Sequence, residues 1–191
     1  MNYGFIGAGN MAGAIIKGMT VGTGSFEGKD IFVYDLNASA AKSLADICKV
    51  NVCSSAEDVI ASSDVLVLAV KPNVLPDVVT QLKNKIIEKS PLVISIAAGK
   101  TLEFLEGLIA KDFPIVRVMP NINAKVGCAT SAFCTTETVS DEQKAIVKKL
   151  FSTVGAVTEL SEKMFSIHSV IGGAAPAFAY LYIDALSRAA V

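Results

Sequence analysis

Tryptophan is absent from this 191-residue chain, histidine occurs once and cysteine four times. One histidine (His168) and four cysteines (Cys48, Cys53, Cys128 and Cys134) with no C-x-x-C pair offer no close-spaced ligand set for a structural zinc site. The thiols read as reduced and mostly buried in a cytoplasmic protein, a redox role for Cys128 or Cys134 being the lesser alternative. Charge is sparse: 18% of residues are charged, with Lys+Arg 17 against Asp+Glu 18 and a net charge of −1. A near-neutral chain without a basic block lacks the phosphate-neutralising surface of a nucleic-acid binder. Long apolar runs are missing too. The apolar runs, such as Val65–Val70, are strand-sized against the ~20 residues of a membrane span, so no membrane partner is expected. The opening MNYGFIGAGN has no basic region before an apolar run, which excludes a secretory signal reading. What is plentiful is hydrophobic residues, at 52%, and that excludes a disordered chain. The length suits one large domain, or one domain and part of a second, with a core that needs no staple.

Strand and helix patterns alternate from the first residues. Tyr3–Ile6 is a short apolar run closed by Gly7, and Met11, Ala14, Ile15, Gly18 and Met19 recur at helical spacing within 10–21. A strand at 31–34, a helix at 38–47, a brief strand at 50–53 and a short helix near 56–62 follow. Residues 64–70 form a continuous β-branched and leucine run, typical of a parallel strand buried on both faces. A helix near 74–88, a strand at 92–96, a helix beginning at Thr101 and a strand at 115–119 continue the alternation. The pattern predicts an α/β fold with a doubly wound, mostly parallel sheet. Strands at 128–134 and 154–159 flank a helix at 140–151. From Pro176 onward Phe178, Leu181, Tyr182, Ala185, Leu186 and Ala189 follow one helical stripe. The chain reaches Val191 without a Gly or Asn cap, so this reads as a helix cut short whose stripe needs a partner.

Gly7-Ala8-Gly9-Asn10-Met11-Ala12 fits G-x-G-x-x-G/A, directly after a strand and at the start of a helix. Gly7 permits the tight turn, Gly9 lets the backbone approach a pyrophosphate, and Ala12 lets helix pack on strand. The helix N-terminus attracts the phosphate charge. Asp35 ends the second strand, where the acid of NAD-binding sheets accepts hydrogen bonds from the ribose 2′-hydroxyl. A cap on the helix starting near 38 is the equal alternative. A 2′-phosphate would be repelled by Asp35, and the nearest cation downstream is Lys42. Ligands of open parallel sheets bind beyond the carboxyl ends of the strands. That edge carries Lys71-Pro72, Ala97-Ala98-Gly99 and Pro120-Asn121. An ordinary solvated lysine is the lesser alternative for Lys71.

Six blocks together resemble the pyrroline-5-carboxylate reductase family: GFIGAGNMA, DVLVLAVKP (64–72), SIAAG (95–99), RVMPN (117–121), VGAVTELSE (154–162) and GGAAPAFAYLYIDAL (172–186). They run in family order over essentially the whole chain. The resemblance implies a Rossmann-like NAD(P)-binding domain over 1–160 and the beginning of an all-α dimerisation domain over 161–191. It further implies NAD(P)H-dependent reduction of 1-pyrroline-5-carboxylate to L-proline, a small-molecule substrate, and a homodimer or higher homo-oligomer formed through the C-terminal helical segment. Carried over, Ile6, Gly7, Ala8, Gly9, Asn10 and Met11 would hold the pyrophosphate, Asp35 the adenosine 2′-position, and Val70, Lys71, Pro72 and Ala98 the nicotinamide end. Met119, Pro120, Asn121, Gly173 and Ala174 would approach the substrate. Asp35 leans to NAD, the family to NADP.

The departures from the family pattern fall mainly on the substrate side. Asn121-Ile122-Asn123 stands where Asn-Thr-Pro is common, and Gly172-Gly173-Ala174-Ala175-Pro176-Ala177-Phe178 replaces a Ser-Gly-Ser-Gly-Pro-Ala-Tyr loop. Ala56 replaces an adenosine-side Asn, and the family's later Ser/Gly/Thr-rich block lies beyond Val191. Two alternatives follow: a related imine or β-hydroxyacid reductase, and a dinucleotide-binding protein without catalysis. No catalytic acid is assigned, and His168 is read as structural.

Overall fold

The computed structural model describes residues 1–190. Eight strands form one sheet: β1 (Tyr3–Ile6), β2 (Ile31–Tyr34), β3 (Asn51–Val52), β4 (Val65–Leu68), β5 (Leu92–Ser95), β6 (Ile115–Met119), β7 (Ala129–Thr135) and β8 (Gly155–Glu159). Their spatial order is β3-β2-β1-β4-β5-β6-β7-β8. The first six run parallel, β7 is antiparallel to β6, and β8 is parallel to β7. The chain winds outward from β1 to β3, crosses back, and winds the other way from β4. The expected doubly wound, mostly parallel sheet is therefore present, with its switch point between β1 and β4.

Helices cover both faces, and the central strands β1, β4 and β5 are buried at every position. Alternate residues of β1, β4 and β5 (Phe5, Val65, Val67, Ile94) enter one core with Ile15 and Ile16 of α1 (Asn10–Lys17), Leu44 of α2 (Ala38–Cys48) and Phe151 of α6 (Asp141–Ser152). The intervening residues (Ile6, Leu66, Leu68, Val93) enter the other, against Val59 of α3 (Ala56–Ser62), Val79 of α4 (Leu75–Lys89) and Leu105 of α5 (Leu102–Leu108). Side-chain caps set four helix starts. Asn37, Ser55, Thr101 and Ser140 each accept a backbone N–H of the first turn, and Ser140 completes a capping box with Gln143.

Two helical expectations are corrected. The helix expected over 10–21 is α-helical only to Lys17 and continues as a π-helical turn over Gly18–Gly22. Gly18 packs against Val154 and the Thr153 carbonyl so closely that a Cβ would collide with both. The last helix does not start afresh at Pro176. A helical run begins at Glu162 and passes through α7 (Phe165–His168), a π-helical turn (Ser169–Ala174) and α8 (Ala175–Ala189). This run, Glu162–Ala189, is long and apolar enough to cross a membrane by length and composition alone. The expectation that no segment reaches that size counted only uninterrupted apolar runs, and this helix spreads its few charges out. None of α8 is buried among the described residues: Phe178 is 69% exposed, Leu181 66%, Tyr182 67% and Leu186 54%. Val191 lies outside the described residues.

Candidate active site

Parallel strands in the order β2-β1-β4-β5-β6 bring five carboxyl ends to one edge. Gly7–Asn10, Asp35, Ala69–Pro72, Ala97–Gly99 and Pro120–Asn121 all leave the sheet there. Backbone bonds knit the edge together: the Gly7 N–H donates to the Tyr34 carbonyl at 2.8 Å, and the Ala69 N–H to the Ile6 carbonyl at 2.9 Å.

The two glycines of the first turn do different work. Gly7 has φ +106°, and a Cβ there would lie 2.6 Å from the Ala69 carbonyl oxygen, so the chain itself requires glycine. Gly9 has an ordinary extended backbone (φ −70°, ψ −173°), and a Cβ would meet nothing within 4 Å. Nothing in the fold demands glycine at 9. The open space in front of it, at the N-terminus of α1, fits a group that must come close to the backbone. That helix start has no side-chain cap among the described residues and no acid in its first turn, so its first N–H groups face that space. Ala12 is buried, and Ala98 and Lys71 are exposed on the same edge.

Asp35 is tied into this loop. Its Oδ2 accepts the Ala8 N–H at 2.6 Å and its Oδ1 the Asn37 N–H at 2.8 Å. The side chain that caps α2 is Asn37, so Asp35 does not cap that helix. The carboxylate joins the glycine loop to the end of β2, and each oxygen keeps a further lone pair free for an outside donor.

Around the end of β6 the structure joins the expected Met119, Asn121 and Gly173 to residues that had no assigned role, Arg117 and Glu162 among them. Arg117 is 8% exposed; its guanidinium pairs with Glu162 at 2.8 Å and lies 4.4 Å from the centre of the Phe165 ring. The same Glu162 oxygen accepts the Leu102 N–H at 2.8 Å. His168 donates from Nε2 to the Met119 carbonyl at 3.1 Å, Asn121 donates from Nδ2 to the Gly172 carbonyl at 2.8 Å, and the Tyr180 hydroxyl donates to Asn123 Oδ1. Gly173 packs over the Met119 methyl. Met119, Asn121 and the Gly172–Gly173 turn therefore meet at the end of β6. A lone arginine in the apolar run IVRVM was the one sequence signal for the Arg117–Glu162 pair. Next to it, burial pushes the Cys134 thiol up to about 12, with Glu162 adding to the rise and Arg117 opposing it. A thiol held protonated is no nucleophile. A concavity of about 1210 Å³ touches the glycine loop at Ala8–Asn10 and then follows α1 past Lys17 and Gly22.

Comparison with known proteins gives the family. The family described as NADP oxidoreductase coenzyme F420-dependent matches residues 2–99. The chain is 37% identical to pyrroline-5-carboxylate reductase of Arabidopsis thaliana over 98% of its own length and 67% of the relative's. The chain belongs to the pyrroline-5-carboxylate reductase family. Among solved structures, a pyrroline-5-carboxylate reductase from Coxiella burnetii superposes with a TM-score of 0.92 at 32% identity, covering 99% of this chain and 70% of that one. The Plasmodium falciparum pyrroline carboxylate reductase with NADP bound superposes at 0.88 with 29% identity, covering 100% and 69%. In this family setting the glycine turn, the AVKP end of β4 and the MPN end of β6 share one edge of the sheet.

Proposed function

We propose that this chain is an NAD(P)H-dependent oxidoreductase that reduces the C=N bond of 1-pyrroline-5-carboxylate to give L-proline, the closing step of proline synthesis. The observation that carries the reading is the open backbone cradle at Gly9, set at the start of α1 on an edge shared with the family's other motif blocks. NADP bound to the Plasmodium relative supports a dinucleotide of that type.

In this reading residues 1–160 form the dinucleotide domain and 161–191 the start of a helical one. Ile6 to Met11 hold the pyrophosphate by backbone N–H groups, and Asp35 accepts from the adenosine ribose. Val70, Lys71, Pro72 and Ala98 border the nicotinamide end. Met119, Pro120, Asn121, Gly173 and Ala174 border the imine. The dinucleotide supplies a hydride. The residues around it hold the imine carbon against one face, and orientation of this kind can contribute ~7–11 kcal/mol of a barrier. A protonated imine is already electrophilic and keeps its proton as the amine forms, so the chain needs no strong base at this edge. The carboxylate of Asp35 would repel a 2′-phosphate, which favours NADH over NADPH.

The test is NAD(P)H oxidation with pyrroline-5-carboxylate, followed by absorbance. Turnover is expected, with kcat/KM higher for NADH, and Asp35→Ser should move the ratio toward NADPH. Tight binding of both dinucleotides with no turnover would leave a binding protein. The Asn121-Ile122-Asn123 and Gly172–Ala175 sequences favour one second reading, a related cyclic imine as substrate; turnover of that imine but not of pyrroline-5-carboxylate would select it.

A further inference from the structure

Four alternate residues at the end of β6 and just beyond it, Arg117, Met119, Asn121 and Asn123, all contact the helical run that begins at Glu162. Arg117, Met119 and Asn121 are extended, so their side chains share one face, and Met119 makes its bond through the backbone carbonyl; Asn123 follows in the 3-10 turn Ile122–Val126. Their partners, Glu162 with Phe165, His168, Gly172 and Tyr180, advance along the helix in chain order. The end of β6 and the turn after it thus meet the helical run rung by rung. The third rung has a specific cause. Pro176 has no N–H, so it cannot make the α-helical bond to the carbonyl four residues earlier, that of Gly172. Asn121 Nδ2 donates to that carbonyl instead, at 2.8 Å, while its Oδ1 accepts the Asn123 N–H at 3.3 Å. Asn121 is 5% exposed and spends both ends of its amide on this join. The first rung is equally enclosed, with Arg117 held between a carboxylate and an aromatic face.

We propose that Arg117 and Asn121 are positioning residues that register the Gly172–Ala175 turn against the end of β6, and thereby set where the imine sits relative to the hydride donor. The proposal rests on the reductase reading for its consequence in turnover, but the registration itself does not. Asn121 therefore acts through Gly172, and its amide is not a free substrate ligand.

Three variants test it. Asn121→Asp keeps the oxygen that caps Asn123 and removes the donor to Gly172. Arg117→Met removes the ion pair, and Arg117→Lys restores a cation opposite Glu162. Hydrogen exchange by mass spectrometry over 168–178 should quicken about fivefold or more in Asn121→Asp and Arg117→Met, the factor for one hydrogen bond of ordinary net strength, and recover in Arg117→Lys. Exchange in β1 and α1 should match the parent. Affinity for NADH by fluorescence titration should stay within about twofold, while kcat/KM for the imine falls about tenfold or more through misplacement. Parental exchange over 168–178 in Asn121→Asp, an isosteric change that leaves the cap intact, would overturn the proposal. So would a loss of NADH affinity as large as the loss of turnover. If the parent chain neither binds NADH nor oxidises it, the reductase reading fails, and the exchange comparison still decides the registration.

Discussion

At the scale of single residues, the glycine turn separates what the fold needs from what a ligand needs. Gly7→Ala places a Cβ against the Ala69 carbonyl at a positive φ, so a loss of about 1–3 kcal/mol in folding stability is expected from urea unfolding. Gly9→Ala meets no such obstacle: its backbone is ordinary and its Cβ points into open space. Its stability should match the parent while NAD(P)H affinity drops about tenfold or more, because the methyl occupies the pyrophosphate's approach. Equal dinucleotide affinity in Gly9→Ala would remove the cradle argument. Cys134 gives a pH prediction. Its thiol is raised from 9.0 to about 12 in the folded chain, chiefly by burial. Between those values the unfolded chain releases a proton that the folded chain retains, so stability falls as pH rises from about 9 toward 12. Cys134→Ala should flatten that part of a Tm-against-pH curve. An unchanged slope would mean that other groups govern the alkaline limb.

Elements whose signals are local could be read from the chain, and those that depend on distant partners could not. The capping box at Ser140 and Gln143 is a local signal, and it starts α6 where the pattern predicted. Ser140→Ala should therefore cost about 1 kcal/mol in urea unfolding while leaving dinucleotide affinity unchanged, since α6 packs on the sheet face and not at its ligand edge. Strands β1, β2 and β6 likewise fall at the 3–6, 31–34 and 115–119 segments that the alternating pattern predicted. The π-helical turn after Lys17 had no local sign. It begins at Gly18, where the chain packs closely on Thr153 and Val154, far away in sequence. The candidate site divides the same way. Its glycine loop is a contiguous motif with its own geometry. The Arg117–Glu162 pair spans 45 residues and the Asn121–Gly172 bond 51, so neither leaves a periodic trace. Asp35 stood between two readings because a strand-end carboxylate suits both. The nearby Asn37 took the capping role and left Asp35 to the loop.

At the scale of the whole molecule, the sheet is self-sufficient and the last helix is not. Both faces of the central strands are covered by the chain's own helices, whereas α8 presents Phe178, Leu181, Tyr182 and Leu186 at helical spacing with more than half of each exposed. Burying side chains of this size stabilises by roughly 1.5–3 kcal/mol each, so four of them on one stripe are a strong drive to associate. A second copy of the chain is the occupant that the family resemblance implies, helix against helix. Phe178, Leu181 and Leu186 lie on the same run as the Gly172–Ala175 turn, so a partner helix on that stripe would also steady the substrate side. Sedimentation without detergent should therefore give a dimer or larger closed assembly. Leu181→Glu together with Phe178→Glu should shift it to monomer, lower imine turnover and leave dinucleotide binding intact. A monomer with full turnover in the unaltered chain would sink this expectation, because the site would then be complete within one copy. Flotation with lipid vesicles separates the other possible cover for so apolar a helix: recovery of the chain with the vesicles, and no self-association in buffer, would assign the stripe to a bilayer.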